Sequence, residues 1–231
     1  MIKKIFFKIF SLFTLTIIFI SSIIVYFCYF VLNEHSINIW SSFIILYILL
    51  SFVTFLPTLK AIFNKVKLNP GGDSFEKSIH FTKEEIKQLE QHYSRISGTL
   101  GFWKNQAEKF RSFHSYCLYW TIPSSILIPV IIQYADNNPT SKILLTVIST
   151  HTAILLGFHR GFKIEDNFKA FRLGESDFYD TYRRLLDRPS SFGENSSKQI
   201  ENYFTIVENI RKFSRNAETD NLPKLDDSKK K

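Results

Sequence analysis

Two apolar stretches of the chain carry the polar side chains that could do chemistry. His151 lies at the middle of the run Ile143–His159, and the stretch TIPSSILIPVIIQ (residues 121–133) contains two prolines and two serines. Inside a membrane, a polar group costs several kcal/mol unless a partner or water relieves it. Each proline also removes a backbone donor, which frees the carbonyls of Tyr119 and Ser125. We therefore predict a water-accessible path or gate formed by His151, Pro123, Pro129, Ser124 and Ser125.

A structural interpretation of the same residues stays open. In it, the prolines only produce a static kink, since prolines are commoner in membrane helices than in soluble ones. Neutral His151 then forms a hydrogen bond with a Ser or Thr of a neighbouring span. The aromatic side chains near the two ends of the second stretch fit anchors at the membrane surface: Tyr116, Tyr119 and Trp120 at one end and Tyr134 at the other.

The run that contains His151 also carries a ridge of small side chains. Ser149, Ala153, Gly157 and Gly161 recur every four residues, which places them on one face of a helix. Such a face lets another helix approach closely, so we predict that it is a helix-packing surface. His151 lies about 200° around the helix from this ridge.

Motifs for enzymatic or metal chemistry do not occur in the sequence. There is no Gly-rich nucleotide-binding pattern, no HExxH, no paired CxxC and no GxSxG. The six histidines show no ligand spacing with carboxylates or cysteines, and Cys28 and Cys117 fall singly inside apolar runs. The acidic residues of GESDFYD fit the solvated face of a helix. We predict no enzyme, no cofactor and no metal site.

Four apolar runs are candidates for crossing a membrane. Ile9–Leu32, Ile37–Leu59 and Ser112–Ala135 each exceed the roughly 20 residues that span a hydrocarbon core. The fourth, Ile143–His159, is shorter and reaches across if Lys142 and Arg160 extend to the two surfaces. The sequence therefore predicts an all-α integral membrane protein with four transmembrane helices in two hairpins.

The distribution of basic residues predicts the topology. Four crossings place both termini and every Lys and Arg residue except Lys142 in the cytoplasm, as the positive-inside rule requires. The formal net charge of +8 is then explained by topology and attraction to anionic lipid. We predict the lipid bilayer as a partner, and no nucleic acid.

A long helix is predicted between the two hairpins. A capping box starts it, with Thr82 as the N-cap and Glu85 reaching back. Gly98 and Gly101 each cost about 1 kcal/mol in a helix interior, so we predict a hinge near residues 98–101. Its apolar positions alternate in steps of three and four, as in a coiled coil or a helical bundle: Ile86, Leu89, Tyr93, Ile96, Leu100, Trp103, Ala107 and Phe110.

Two further helices are predicted after the last span. One carries a similar seam, Phe168, Phe171, Glu175, Phe178, Tyr182 and Leu185. The other begins near Ser196 with a second capping box and presents Ile200, Tyr203, Phe204, Val207, Ile210 and Phe213 on one face. The seams can pack against each other within one chain or against copies in a homo-oligomer, and both alternatives stay open.

These segments divide the chain into five parts. They are an N-terminal transmembrane hairpin (1–68), a cytoplasmic loop and helix (69–111), a second transmembrane hairpin (112–163), cytoplasmic coiled-coil-like helices (164–216) and a polar, disordered tail (217–231).

The second half of the chain resembles a known family. FWKNQAEKFRSFHSYCLYW, a membrane hairpin with a very short outer turn, DNFKAFRLGESDFYDTYRRLLDRP and QIENYFTIVENIRKF together resemble the SLATT domains, which are SMODS and SLOG-associating two-transmembrane effectors of bacterial conflict systems. The likeness covers roughly residues 82–216 and rests on architecture and a diffuse pattern of aromatic and charged positions.

The resemblance implies an oligomeric effector of antiviral defence in the bacterial inner membrane. Such an effector is expected to form pores or perturb the membrane when a nucleotide second messenger or an associated sensor signals infection. The family has no catalytic residues to transfer. This chain differs in having two further N-terminal spans, closer to the related four-transmembrane effectors, and in lacking a recognisable nucleotide-sensing domain, so a separate sensor partner is expected. A housekeeping channel or transporter and a non-conducting adaptor stay open as alternatives.

Overall fold

Helices make up most of the part of the chain that the computed structural model describes, residues 39–68, 74–134 and 139–220. The long helices in these ranges are α1 (Ile39–Phe63), α2 (Lys83–Tyr134), α3 (Pro139–Gly161), α4 (Ile164–Asp187) and α5 (Ser196–Asp220). Short 3-10 turns, Phe75–Lys77 and Pro189–Phe192, precede α2 and α5. No strand occurs in the described ranges, and the all-α prediction is confirmed. The predicted first span, Ile9–Leu32, lies outside them.

Helix α2 runs without a break through 52 residues, about 78 Å. It passes through Gly98, Gly101, Pro123 and Pro129, so the predicted hinge near residues 98–101 is wrong. The reason is tertiary packing: Ile96, Leu100 and Trp103 on the same stretch are buried, and their burial outweighs about 1 kcal/mol of glycine cost per site. The boundary predicted between residues 111 and 112 therefore lies inside one rigid element.

One end of the molecule is a three-helix unit that we call the membrane bundle: α1, residues 112–134 of α2, and α3. Each of its helices is long and apolar enough to cross a membrane. α1 and α3 both run antiparallel to α2. Tyr47 contacts Trp120 and Phe55 contacts Tyr116 between α1 and α2, and His159 contacts His114 and His151 contacts Tyr116 between α3 and α2. Large apolar side chains cover the outer surface, among them Phe43, Leu49, Val53, Ile122, Ile126 and Leu127. This surface suits contact with lipid.

The other end is a second three-helix unit, the distal bundle: residues 83–111 of α2, α4 and α5. α4 runs antiparallel to α2, and α5 returns parallel to it. The buried core contains Phe75, Leu89, Ile96, Leu100, Trp103, Phe171, Phe178, Tyr182, Leu185, Tyr203 and Val207. The apolar seams predicted from sequence thus pack against each other within one chain.

The acidic position in the second seam has cationic partners. Glu175 is buried, and its carboxylate accepts a hydrogen bond from Arg172 at 2.8 Å and lies 3.8 Å from the Lys104 Nζ. A buried carboxylate without such partners would be strongly destabilising. The two ion pairs explain why this seam tolerates a charge.

A tight turn joins the two bundles where α3 ends and α4 begins. Lys163 adopts a left-handed conformation with φ 43°. The side-chain amide of Asn167 donates to the carbonyls of Phe162 and Lys163 at 2.9 and 3.1 Å. The first bond gives the Phe162 carbonyl, just beyond the end of α3, a partner, and the Lys163 carbonyl also accepts from the Asn167 backbone N–H at 3.0 Å. The turn lies at the boundary between residues 163 and 164, where α4 begins at Ile164.

A hydrogen bond links the N-terminal caps of α2 and α5. At α2 the predicted capping box is present: the Thr82 N–H donates to Glu85 Oε2 at 2.8 Å, and the Glu85 N–H donates to Thr82 Oγ1 at 3.4 Å. At α5 the Lys198 N–H donates to Asn195 Oδ1 at 2.9 Å, so the predicted cap at Ser196 is wrong and Asn195 is the N-cap. The Ser196 hydroxyl instead donates to the Glu85 carboxylate.

The C-terminal boundary also differs from the prediction. Helix α5 continues to Asp220, so the polar tail predicted for 217–231 begins inside the helix. Residues 221–231 lie outside the described ranges.

Candidate functional site in the membrane bundle

His151 lies near the middle of α3 and forms hydrogen bonds with both neighbouring helices. Its Nδ1 is 2.7 Å from the Tyr47 hydroxyl on α1, and its Nε2 is 3.1 Å from the Tyr116 hydroxyl on α2. A neutral imidazole has one donor and one acceptor nitrogen. One tyrosine hydroxyl therefore donates to the ring and the other accepts from it, and both ring nitrogens are satisfied.

The hydrogen bonds extend from the two tyrosines to further side chains. The Tyr116 hydroxyl bonds to the Ser51 hydroxyl at 2.8 Å, and Ser124 bonds to Tyr47. The indole N–H of Trp120 donates to Thr54 Oγ1 at 2.8 Å. We call this set of side chains the His151 cluster: Tyr47, Ser51, Thr54, Tyr116, Trp120, Ser124 and His151.

Aromatic contacts enclose the polar groups of the cluster. The Tyr47 ring packs edge-on against Trp120 at 4.6 Å between centroids and against His151 at 5.8 Å. Phe55 packs edge-on against Tyr116 at 5.0 Å. These rings separate the hydroxyls and the imidazole from the apolar outer surface. The cluster is thus a polar centre enclosed by aromatic side chains.

The five residues predicted to form a path do not all meet. Ser124 is buried and joins His151 in the cluster, whereas Pro123, Pro129 and Ser125 lie on the exposed outer face of α2. The Ser125 hydroxyl donates to the Thr121 carbonyl at 2.7 Å, which is neither of the carbonyls that the prolines free. Which of these residues face the cluster depends on how α2 is rotated about its axis. The sequence of this stretch alone did not show that orientation.

The ridge predicted as a packing surface faces outward. Ser149 is half-buried, and Ala153, Gly157 and Gly161 are exposed. A methyl group added at Gly157 or Gly161 would meet no described atom within 4 Å. The opposite face of α3 is packed instead, through Ser141, Leu144, Ile148, Thr152 and Leu155. Among the described residues no helix packs against Gly157 or Gly161, and the packing surface stays a prediction.

Two residues predicted as interface anchors belong to the cluster. Tyr116 is buried and Trp120 bonds to Thr54, whereas Tyr119 and Tyr134 are each 68 % exposed on the outer surface. A periodic signal could have identified them. Tyr116, Trp120 and Ser124 recur every four residues on α2, and Tyr47, Ser51 and Thr54 recur at steps of four and three on α1.

A second imidazole contact lies near the turn that leads to the distal bundle. His114 Nδ1 is 2.8 Å from His159 Nε2, and the two rings are 5.0 Å apart between centroids. One ring nitrogen must donate to the other, so this pair shares a proton in a hydrogen bond. Within the described ranges, no group of three or more His, Cys, Asp and Glu side chains is arranged to hold a metal ion.

Comparisons with known proteins do not identify the chain. No family model, no curated protein and no solved structure matches it. The resemblance to the SLATT domains stays a prediction from the sequence. The function is therefore inferred from the geometry of the two bundles.

Proposed function

We propose that this protein is an oligomeric membrane effector of a bacterial antiviral defence system, with both termini in the cytoplasm. In this proposal the distal bundle receives a signal from a separate sensor, and α2 transmits it to the membrane bundle. The bundle then opens at the His151 cluster, and the oligomer forms a pore or disrupts the inner membrane. The proposal includes the predicted first span, Ile9–Leu32, which lies outside the described residues.

The single observation that supports this proposal most is the continuity of α2. One unbroken helix carries core residues of the distal bundle, such as Trp103, and members of the His151 cluster, such as Tyr116. A shift or rotation of α2 in the distal bundle therefore moves the cluster side chains that α2 carries, since a packed helix transmits displacement. The resemblance to the SLATT domains supports the biological setting.

The chemistry of the cluster suits a closed state that can be hydrated. Each hydroxyl and ring nitrogen that loses its partner when the helices separate needs a replacement, and within a membrane only water supplies one. Separation of α1 from α3 by a few ångströms would break the hydrogen bond between Tyr47 and His151. Both groups would then need water as a hydrogen-bond partner in the middle of the span. Ordered partners close the path and water opens it.

A non-conducting adaptor is the second candidate function. The observation that favours it is the complete satisfaction of His151, because an imidazole with two fixed partners acts as a structural crosslink between three helices. In this case the distal bundle would bind partners and the membrane bundle would only anchor it.

Ion or dye flux from sealed liposomes that contain the purified chain separates the two candidates. We expect flux with the wild type once its sensor is supplied, and its loss in His151→Leu, which removes the group that water would solvate. The matched control is Thr150→Leu, which places the same side chain one position away on the exposed face of α3. In cells, the wild type should depolarise the membrane and reduce viability once the system is triggered.

Equal flux from the wild type and His151→Leu would contradict a lining or gating role for the cluster. Absence of flux from the wild type, together with recovery of a bound partner protein through the distal bundle, would favour the adaptor.

A further inference from the structure

A groove with basic walls lies on the distal bundle, between α2 and α5. It encloses about 410 Å³ and lies far from the His151 cluster. Its α2 wall carries Gln88, Gln91, His92 and Arg95, which recur at helical spacing on one face. The α5 wall carries Arg211 and Arg215, and Phe204 and Val207 form the apolar part of the groove.

The groove has an excess of positive charge. Arg95 and Arg211 form no ion pair with a carboxylate within the described residues. Glu208 also lines the groove; its carboxylate pairs with Lys212 at 2.9 Å and is attracted by Arg211 and Arg215 as well, which leaves three arginines against one carboxylate in the groove. Guanidinium groups present several N–H donors in a planar fork, which is the geometry that binds phosphate oxygens in pairs.

His92 lies in the wall of the groove, near Arg95 and Arg211. Burial, and then the positive charges of Arg211 and Arg95, lower the pKa of His92 to about 4, so the ring is neutral at pH 7. Its Nδ1 is buried and has no hydrogen-bond partner among the described residues. The ring packs against Phe204 at 4.2 Å between centroids, with the two planes tilted by 33°. A bound anion would offset the two guanidinium charges.

The dimensions of the groove limit what can occupy it. It extends about 10 Å along α2 from Gln88 to Arg95 and about 16 Å along α5 from Phe204 to Arg215. Binding sites for small molecules have volumes of about 300–1,000 Å³. The groove therefore suits a small molecule with several anionic oxygens and an apolar or aromatic part, and it is too short for a nucleic-acid duplex.

The distance from the membrane bundle distinguishes between two sources of phosphate. Arg95 precedes residue 112, where the apolar part of α2 begins, by about 25 Å of helix, and Gln88 precedes it by about 36 Å. The headgroup layer on each side of a bilayer is only about 5–8 Å thick. A lipid headgroup does not reach Arg95 or Gln88, so this end of the groove favours a soluble ligand.

We propose that this groove binds a small soluble phosphorylated molecule, with Arg95 and Arg211 contacting its phosphate groups and Phe204 and Val207 contacting its apolar part. The site gives the distal bundle a ligand of its own, in addition to any sensor protein. Binding is measured without flux, so this proposal can succeed or fail independently of the proposed membrane activity.

Calorimetric titration of the full chain in phosphatidylcholine nanodiscs tests the site, with ATP and inorganic pyrophosphate as probes. Both should bind saturably, and adenosine, which lacks phosphate, should not. Arg95→Gln and Arg211→Gln should each weaken ATP binding about tenfold, the effect of losing one charge-assisted hydrogen bond. Gln91→Glu, which adds a negative charge to the wall, should abolish binding.

The matched control is Arg188→Gln, which removes the same charge from an exposed position at the end of α4, outside the groove. It should change the affinity by less than about twofold. Absence of saturable binding of both probes, equal binding of adenosine and ATP, or an equal loss in Arg188→Gln would overturn the proposal. Displacement of ATP by phosphatidylglycerol in the nanodisc would also overturn it, because the occupant would then be a lipid headgroup.

Discussion

The two bundles of this protein are built with opposite distributions of polarity. Inside the membrane bundle the buried side chains include many small hydroxyl residues, and large aliphatic and aromatic side chains face outward. Inside the distal bundle the buried side chains are large and aromatic, and charged residues face outward. The buried hydroxyl residues of the membrane bundle are Ser41, Ser51, Thr58, Thr121, Ser124, Ser141 and Thr152.

The solvent explains this difference. In water the burial of apolar surface drives association, so aromatic seams such as that around Phe178 are hidden. In lipid there is no hydrophobic drive between helices, and close packing and hydrogen bonds hold them together. Before about residue 111, α2 buries large apolar side chains, as expected in water. After it, α2 buries small hydroxyl residues, as expected in lipid. The identity of the buried face therefore reports which solvent surrounds each half.

The largest expected effect is in the distal core. Phe178 is 0 % exposed, and Phe178→Ala should destabilise the distal bundle by about 3–5 kcal/mol through the cavity that it leaves. Phe213→Ala is the matched control, since Phe213 is 56 % exposed on α5, and it should change stability by less than about 0.5 kcal/mol. Chemical denaturation followed by aromatic fluorescence measures both. Equal effects would mean that the aromatic seam is not the core.

The next effect tests how closely α4 and α5 approach each other. A methyl group at Gly174 would clash with the Ser214 hydroxyl and touch Trp103 at 3.4 Å, so Gly174→Ala should cost about 1–3 kcal/mol. Gly98→Ala is the control: nothing lies within 4 Å, and the substitution should stabilise α2 by about 0.5–1 kcal/mol. The same denaturation assay applies. Adding Ser214→Ala to Gly174→Ala should restore most of the loss, and no recovery would contradict the assigned contact.

A smaller effect is expected from one hydroxyl in the membrane bundle. Tyr116→Phe removes the bonds to Ser51 and His151 but keeps the ring, and hydrogen bonds between membrane helices average about 0.6 kcal/mol. Tyr119→Phe, on the exposed face, should have no measurable effect. Unfolding in detergent micelles provides the comparison. A loss of several kcal/mol in Tyr116→Phe would show that polar contacts dominate the membrane bundle more than we infer.

The smallest effect depends on pH and lies at the joined caps of α2 and α5. The hydrogen bonds from Ser196 and Thr82 hold the pKa of Glu85 below its usual value of 4.5. Because the folded-state pKa is lowered, the stabilisation is present above pH 4.5 and is lost as the pH falls through the folded-state pKa. Glu85→Gln should therefore be less stable than the wild type at pH 7, by less than about 1 kcal/mol at this exposed site. The difference should shrink as the pH falls below 4.5, and a difference that stays constant as the pH falls would contradict the assignment.

Periodicity predicted the distal bundle better than the membrane bundle. In the distal bundle, steps of three and four among large residues identified the buried faces of α2, α4 and α5, because the buried side of a helix in water is its apolar side. In the membrane bundle nearly every residue is apolar, so periodicity of hydrophobicity carries little information. There the recurrence of Tyr116, Trp120 and Ser124 marks the buried side.

Two other differences from the sequence predictions have tertiary causes. The hinge predicted at Gly98 and Gly101 does not occur, because packing against α4 supplies more than the glycines cost. The partners of His151 are tyrosines from two helices whose sequence positions are 35 and 104 residues away, a long-range pairing that local sequence does not encode. The presence of a half-buried mid-span histidine was predictable, and the identity of its partners was not.

The most direct test of the central claim, that α2 passes from water into lipid and across it, is labelling of single cysteines with an impermeant maleimide in sealed vesicles. The background replaces Cys28 and Cys117 with serine, and the cysteines are placed at Gln91, Ile126 and Tyr134, all on exposed faces of α2. We predict that Gln91→Cys and Tyr134→Cys react from opposite sides of the membrane and that Ile126→Cys, 66 % exposed but facing lipid, does not react. Reaction of Gln91→Cys and Tyr134→Cys from the same side, or of Ile126→Cys as fast as Gln91→Cys, would contradict it.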